Sequence, residues 1–270
     1  MTFRCEDLPE YGLILVPNTS PEYDALLEDI QRRTENPPAG MPPNLYRMWV
    51  GTVDPEKRAT SAILLNQSGK PIVSTEVVWR HEQTDGRVIP QTRSWNDVIV
   101  QRPSSPMDYW RHILPGSKRY ISEGGPVGDN SDVRPPTPEE VPKGGGGGSG
   151  RGLGHPGANV VEVTLALTGV FFLGGEFAGS EASGIWARAV AAIAVWKEIG
   201  EILREGHGFE RVEALTRSPG LPPPAPRDSR GHALWSCAQT VAQYRRVYGD
   251  AARERLISYV ETELPELRHV

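Results

Sequence analysis

The sequence predicts an α+β fold: an antiparallel β-sandwich or curved sheet with one long packed helix and a C-terminal helical pair. Three observations predict it. Residues 45–122 hold several short runs of β-type residues separated by turn chemistry, a pattern of sandwiches rather than parallel sheets. Val161, Val163, Leu165 and Leu167 then alternate with Glu162, Thr164, Ala166 and Thr168, as a half-buried strand requires, and lead through Gly174-Gly175 into a periodic helix. Two further helical patterns follow between residues 233 and 264.

In chain order, Leu13–Val16 reads as a first strand stopped by Pro17. Ser20 suits an N-cap and Pro21 the first helical position, while Glu22 and Asp24 complement the positive end of the dipole. Tyr23, Leu26, Leu27 and Ile30 share one helical face, with Arg32 and Arg33 at the end. The strand–helix unit spans residues 11–34, and Pro37–Pro43 then forces an irregular connection.

From Leu45 the period becomes two, with Tyr46, Met48 and Val50 on one face. Ala62–Leu65 and Ile72–Trp79 read as strands around an Asn66–Lys70 turn, and Thr84–Arg87 as a hairpin turn. Arg87–Ile89, Asp97–Val100 and Lys118–Ser122 complete the set. Residues 123–158 differ in kind: Pro, Gly and acids replace large apolar residues, so the stretch reads as a flexible insertion in the domain.

The stretch 159–206 is the organising element. Leu173-Gly174-Gly175-Glu176 supplies a tight hairpin, Ser180 can cap the next helix, and Ile185, Ala189, Ile193, Trp196, Ile199 and Leu203 form its apolar stripe, widened by Trp186 and Val190. Gly206 is a natural stop. A Pro-rich linker at 218–228 precedes helices over 233–264, with Leu234, Trp235, Val241, Tyr244 and Val247 on the first, and Leu256, Tyr259, Val260 and Leu264 behind an Asp250 cap on the second. The whole chain, 1–270, reads as one domain.

The run Ala62-Ile63-Leu64-Leu65-Asn66-Gln67-Ser68-Gly69-Lys70-Pro71-Ile72, with Val77-Val78-Trp79 and Asp85-Gly86 after it, resembles bacterial β-sandwich modules of the FxLYD type over residues 59–90. The segment from Val163 to Gly179 is similar to a strand–turn–strand of uncharacterised bacterial proteins. The resemblance implies a sandwich and carries no catalytic residue across.

Composition narrows the function classes. Pro (25) and Gly (29) make up a fifth of the 270 residues, which argues for long irregular connections. A net charge of −5 with no Lys/Arg-rich block gives no electrostatic footprint for nucleic acid. The apolar run at Val170–Leu173 is too short to span a bilayer, and the acid-containing N-terminus does not read as a secretory signal, so the expected setting is the cytoplasm. Cys5 and Cys237, far apart in sequence, read as free thiols in a reducing compartment.

No motif with a chemical mechanism emerges. The six histidines lack metal-ligand spacing, and Gly144–Gly154 lacks the Lys-Ser/Thr and leading strand of a phosphate loop. His232 and Cys237 fall on different faces of a helix, so Cys237 reads as core. Glu76 and Glu82 around Trp79 read as an outer solvated face, and Glu198 and Glu201 as solvated charges balanced by Lys197 and Arg204. No catalytic residue, metal ligand or cofactor is therefore assigned. Trp95 and Trp110 lie in polar, loop-like surroundings and, with His112 and Tyr120, are the candidate binding residues. The expected function is a non-catalytic interaction or structural module with a protein partner. The alternative is an enzyme or small-ligand binder whose site assembles from scattered residues such as His112, Glu76, Asp97 and Tyr120.

Overall fold

In a computed structural model of the chain, residues 1–37, 53, 55–95, 112–123, 125–128, 159–216 and 229–270 are described. They form four layers: one helix, a four-stranded sheet, a six-stranded sheet and a group of four helices. The expected α+β class is what the structure shows, with open sheets.

The strands are β1 (Thr2–Glu6), β2 (Leu13–Pro17), β3 (Ala62–Asn66), β4 (Ile72–Gln83), β5 (Val88–Trp95), β6 (Lys118–Ser122), β7 (Gly125–Gly128), β8 (Val160–Phe172), β9 (Glu176–Gly179) and β10 (Arg268–His269). The larger sheet has the order β10-β9-β8-β4-β5, with β1 also on β8, and the smaller has β2-β3-β6-β7. Pairing is antiparallel throughout except for β1 on β8 and β10 on β9, which are parallel. Both parallel strands come from the ends of the chain, and neither is among the expected elements. Asp97–Val100 and the alternating run 45–50 lie outside the described residues. Gly125–Gly128 pairs with β6, so the segment read as an insertion from residue 123 opens with a strand.

The two sheets bury a shared apolar core. Leu13, Leu15, Ala62, Leu64 and Ile121 from the smaller sheet meet Val77, Trp79, Val163, Leu165 and Leu167 from the larger. Trp79 sits at the centre with no exposed area, and its indole nitrogen donates to Thr60 O at 2.9 Å. The other face of the smaller sheet is covered by α1 (Tyr23–Glu35), where Tyr23, Leu27 and Ile30 pack on Val16, Ile63 and Tyr120. This helix starts two residues later than the Ser20–Pro21 signal: Glu22 occupies the cap position and makes no side-chain cap bond.

The outer face of the larger sheet carries α2 (Gly184–Arg204), α3 (Gly208–Thr216), α4 (Ser229–Tyr248) and α5 (Ala251–Thr262). Ile185, Ala189, Val195, Trp196, Ile199 and Leu203 of α2 pack with Val73, Phe171 and Phe177 of the sheet, and Trp196 meets Tyr259 edge-on. The expected stripe is buried at Ile185, Ala189, Trp196, Ile199 and Leu203 and departs from expectation at two positions. Val190 is 46% exposed and Ile193 only half-buried, while Ala192 and Val195 point inward. The cause is that the sheet and the three other helices cover α2 along different lines, so its buried arc is not a single periodic row. The cap is Ser183, whose hydroxyl accepts from Trp186 N, rather than Ser180. Trp235 and Val247 of α4 are exposed, and its buried face consists of Ala233, Cys237, Ala238, Thr240 and Val241. The Gly174–Gly175 hairpin forms as expected, with φ of +100° and +93°.

Candidate functional site

Apolar patterning builds the sandwich, so polar side chains turned inward are the feature to explain. On β4, Val77 and Trp79 face the inter-sheet core, and strand alternation places His81 on that same face. Directly paired residues of antiparallel strands point the same way, so the β5 partners Arg93 (opposite Val77) and Gln91 (opposite Trp79) also face inward. On β6, Ile121 lies in the same core; Arg119 and Glu123, two residues either side, share its face. Gln91, His81, Arg119 and Glu123 are 9%, 9%, 6% and 2% exposed.

The strands β4 and β6 run in the same direction across the sandwich. Ile72 bridges Ile113 at one end, and His81 Nε2 lies 3.0 Å from Glu123 Oε1 at the other. Along the larger sheet the polar residues occupy successive pairs: His81 at one, Gln91 opposite Trp79 at the next, Arg93 opposite Val77 beyond.

The bonding at these levels is incomplete. Gln91 Nε2 is buried and makes no hydrogen bond. Glu123 Oε1 lies 3.0 Å from His81 Nε2 but receives no hydrogen bond of good geometry. A buried donor or acceptor left in this state costs about 1–3 kcal/mol, and native structures hold few of them. Arg93, Arg119 and His112 each have further interactions of their own.

A second buried carboxylate has a different character. Glu76 is 2% exposed, which corrects its reading as part of a solvated outer face. Its Oε1 accepts from Gly184 N at 2.9 Å and from Thr168 Oγ1 at 3.2 Å, and Oε2 faces Arg188 Nη2 at 3.5 Å. Arg188 is also bonded to Ser94 Oγ at 2.8 Å. The carboxylate sits at the positive end of α2 and fastens that helix to β4, β5 and β8. Its oxygens are engaged, so it is a structural anchor. Glu82 is exposed, as expected.

Of the four residues singled out from sequence, the side chains of two are described. Tyr120 is fully buried on the α1 side of its strand, opposite to the face that carries Arg119 and Ile121. His112 is buried beside the Ile72–Ile113 bridge. Trp110 and Asp97 lie outside the described residues, and of Trp95 only the backbone is described, paired with Thr75. His81, Gln91, Arg93, Arg119 and Glu123 were not anticipated. A signal existed: on β5 and β6 the inward positions of an otherwise apolar sandwich are charged or amide-bearing, visible once the register is known.

Cys237 is buried in the helical layer and burial pushes its thiol up to about 12. Cys5 is half-buried and is likewise pushed up to about 12, first by burial and then by Asp7. Both are free thiols, and neither is set up as a nucleophile. Among the described residues, no group of three or more His, Cys, Asp or Glu is arranged to hold a metal ion, and no helix is long and apolar enough to cross a membrane. No family model, curated protein or solved structure matches this chain.

Proposed function

We propose that this chain is a non-catalytic binding module that takes a small polar ligand between its two sheets. The observation that supports it is the pair of buried, incompletely bonded polar atoms, Gln91 Nε2 and Glu123 Oε1, presented inward by facing sheets. A ligand that completes both would offset the desolvation they suffer in the free protein. The experiment is to purify the chain from its native host, denature it and identify by mass spectrometry what is released. The expected result is a small molecule near one equivalent, lost from Gln91→Leu purified in the same way. Release of nothing from the wild type, with nothing in a metabolite extract raising its Tm, overturns the reading.

A protein partner is the second reading. Val88 and Ile89, at the start of edge strand β5 beside the Thr84–Arg87 turn, are 53% and 46% exposed. Adjacent exposed aliphatic residues on an edge strand suit a docking contact. Replacing both with lysine should then remove the partner from a pull-down while leaving Tm within a few degrees.

A further inference from the structure

We infer that residues 265–270 form a detachable strand, which closes an edge of the larger sheet that an extended peptide of the same chemistry can occupy. β10 is the outermost strand of that sheet and lies parallel on β9, with Arg268 opposite Glu176 and His269 opposite Phe177. Arg268 N donates to Gly175 O at 3.1 Å and Val270 N to Phe177 O at 2.9 Å, while Tyr11 Oη donates to Val270 O at 2.8 Å. The His269 ring stands edge-on to Phe177 and Trp186, with centroids 5.4 and 5.9 Å away. The seat is shaped for this segment: a Cβ on Gly175 would come within 2.7 Å of Glu266 O and 2.9 Å of Pro265 Cβ.

The hold on the segment is light. β10 pairs over two residues, whereas β8 pairs with β4 along most of its length. Arg268, His269 and Val270 are exposed, the Arg268–Glu266 bond closes within the segment, and Leu267 packs against the helical core. Segments held by few buried contacts open locally, ahead of the whole fold. Glu263 N and Leu264 N are bonded to Tyr259 O, which fixes the end of α5, and Pro265 cannot continue the helix. Lifting from Pro265 onward frees Gly175 O and Phe177 O and uncovers the rings of Phe177 and Trp186. Open carbonyls along a strand, with side-chain contacts beside them, are what an extended peptide meets when it adds to a sheet edge. The peptide that fits carries N–H donors at alternate residues, an imidazole or aromatic ring between them and an aliphatic side chain before the first.

The test uses the full chain and a fluorescently labelled peptide, Pro-Glu-Leu-Arg-His-Val. Amide exchange followed by NMR should show Arg268 and Val270 exchanging about a hundredfold faster than Leu165 on β8. Fluorescence anisotropy should show the peptide binding the His269→Ala chain about tenfold tighter than the wild type. The variant's own strand loses its two ring contacts, while the seat is unchanged. A peptide with alanine at the histidine position should lose that gain. One with proline at the arginine position should not bind, since it lacks the first donor. Exchange of Arg268 and Val270 as slow as that of Leu165 overturns the detachable strand, and this arm needs no substitution. Equal affinity of the peptide for wild type and His269→Ala, or binding to neither, overturns the peptide edge.

Discussion

His81 Nε2 on the larger sheet and Glu123 Oε1 at the end of the smaller one lie 3.0 Å apart, both buried. This contact joins the sheets at the end where their apolar packing gives way to polar side chains. The opposite end is joined by the backbone bridge between Ile72 and Ile113. The sandwich is therefore held at both ends, and the polar levels between are presented from fixed strands.

The anchor at Glu76 is structural, so its loss should show in stability. Glu76→Ala removes the acceptor for Gly184 N and Thr168 Oγ1 and the carboxylate that faces Arg188. We expect a loss of about 3 kcal/mol in urea unfolding, in the range for breaking a buried pair. Gly184→Ala should also destabilise, because its new Cβ would meet Glu76 Oε2 at 2.7 Å and Arg188 Nη1 at 2.8 Å. Glu82→Ala, on the exposed part of the same strand, should stay within about 0.5 kcal/mol.

The buried face of α2 makes a paired prediction. Trp196→Ala opens a cavity between the helices and the sheet and should cost about 3–5 kcal/mol, whereas Val190→Asp, on the solvent side, should change Tm little. A large loss from Val190→Asp would place the stripe where sequence periodicity alone puts it.

Acid sensitivity should follow Asp29. Its carboxylate contacts Lys118 and Arg32, whose hydrogen bonds hold it well below the usual carboxylate range. The folded state then binds the Asp29 proton less readily than the unfolded state does, so the unfolded state holds more protons as pH falls. Stability from this group is complete above the unfolded value of about 3.9 and is lost as pH drops below it. Unfolding measured between pH 6 and 2 should show a decline below pH 4 that is shallower in Asp29→Asn.

Thiol chemistry should be silent in the folded protein. With both thiols pushed up to about 12, iodoacetamide at pH 8 should label neither Cys5 nor Cys237 within minutes, and both at once in denaturant. Fast labelling of Cys237 in the native state would show that the helical layer opens readily.

The layers were legible from sequence because they rest on local chemistry. The Asn66–Lys70 turn forms as its residues dictate: Asn66 Oδ1 accepts from Ser68 N at 3.1 Å, and its amide donates to Lys70 O and Ile113 O, each at 2.8 Å. Alternation along Val161–Thr168 and the two glycines at 174 and 175 fixed a strand and its hairpin. What was not legible depends on distant partners. Thr2–Glu6 becomes a strand only by lying on Glu162–Ala166, and Arg268–His269 only by lying on Glu176–Phe177. Glu76 looked solvated because alternation does not show that a helix N-terminus lands on it. The inward polar side chains escaped notice for the same reason, since Gln91 is turned inward only through the pairing of β4 with β5, and Glu123 meets His81 only through the stacking of the two sheets.

The most direct test of the ligand site is a crystal structure of the chain purified from its native host. The account predicts a bound small molecule between the sheets, within hydrogen-bond distance of Gln91 Nε2. Gln91 and Glu123 bonded instead to other side chains of the protein, with the space between the sheets filled by them, would contradict it.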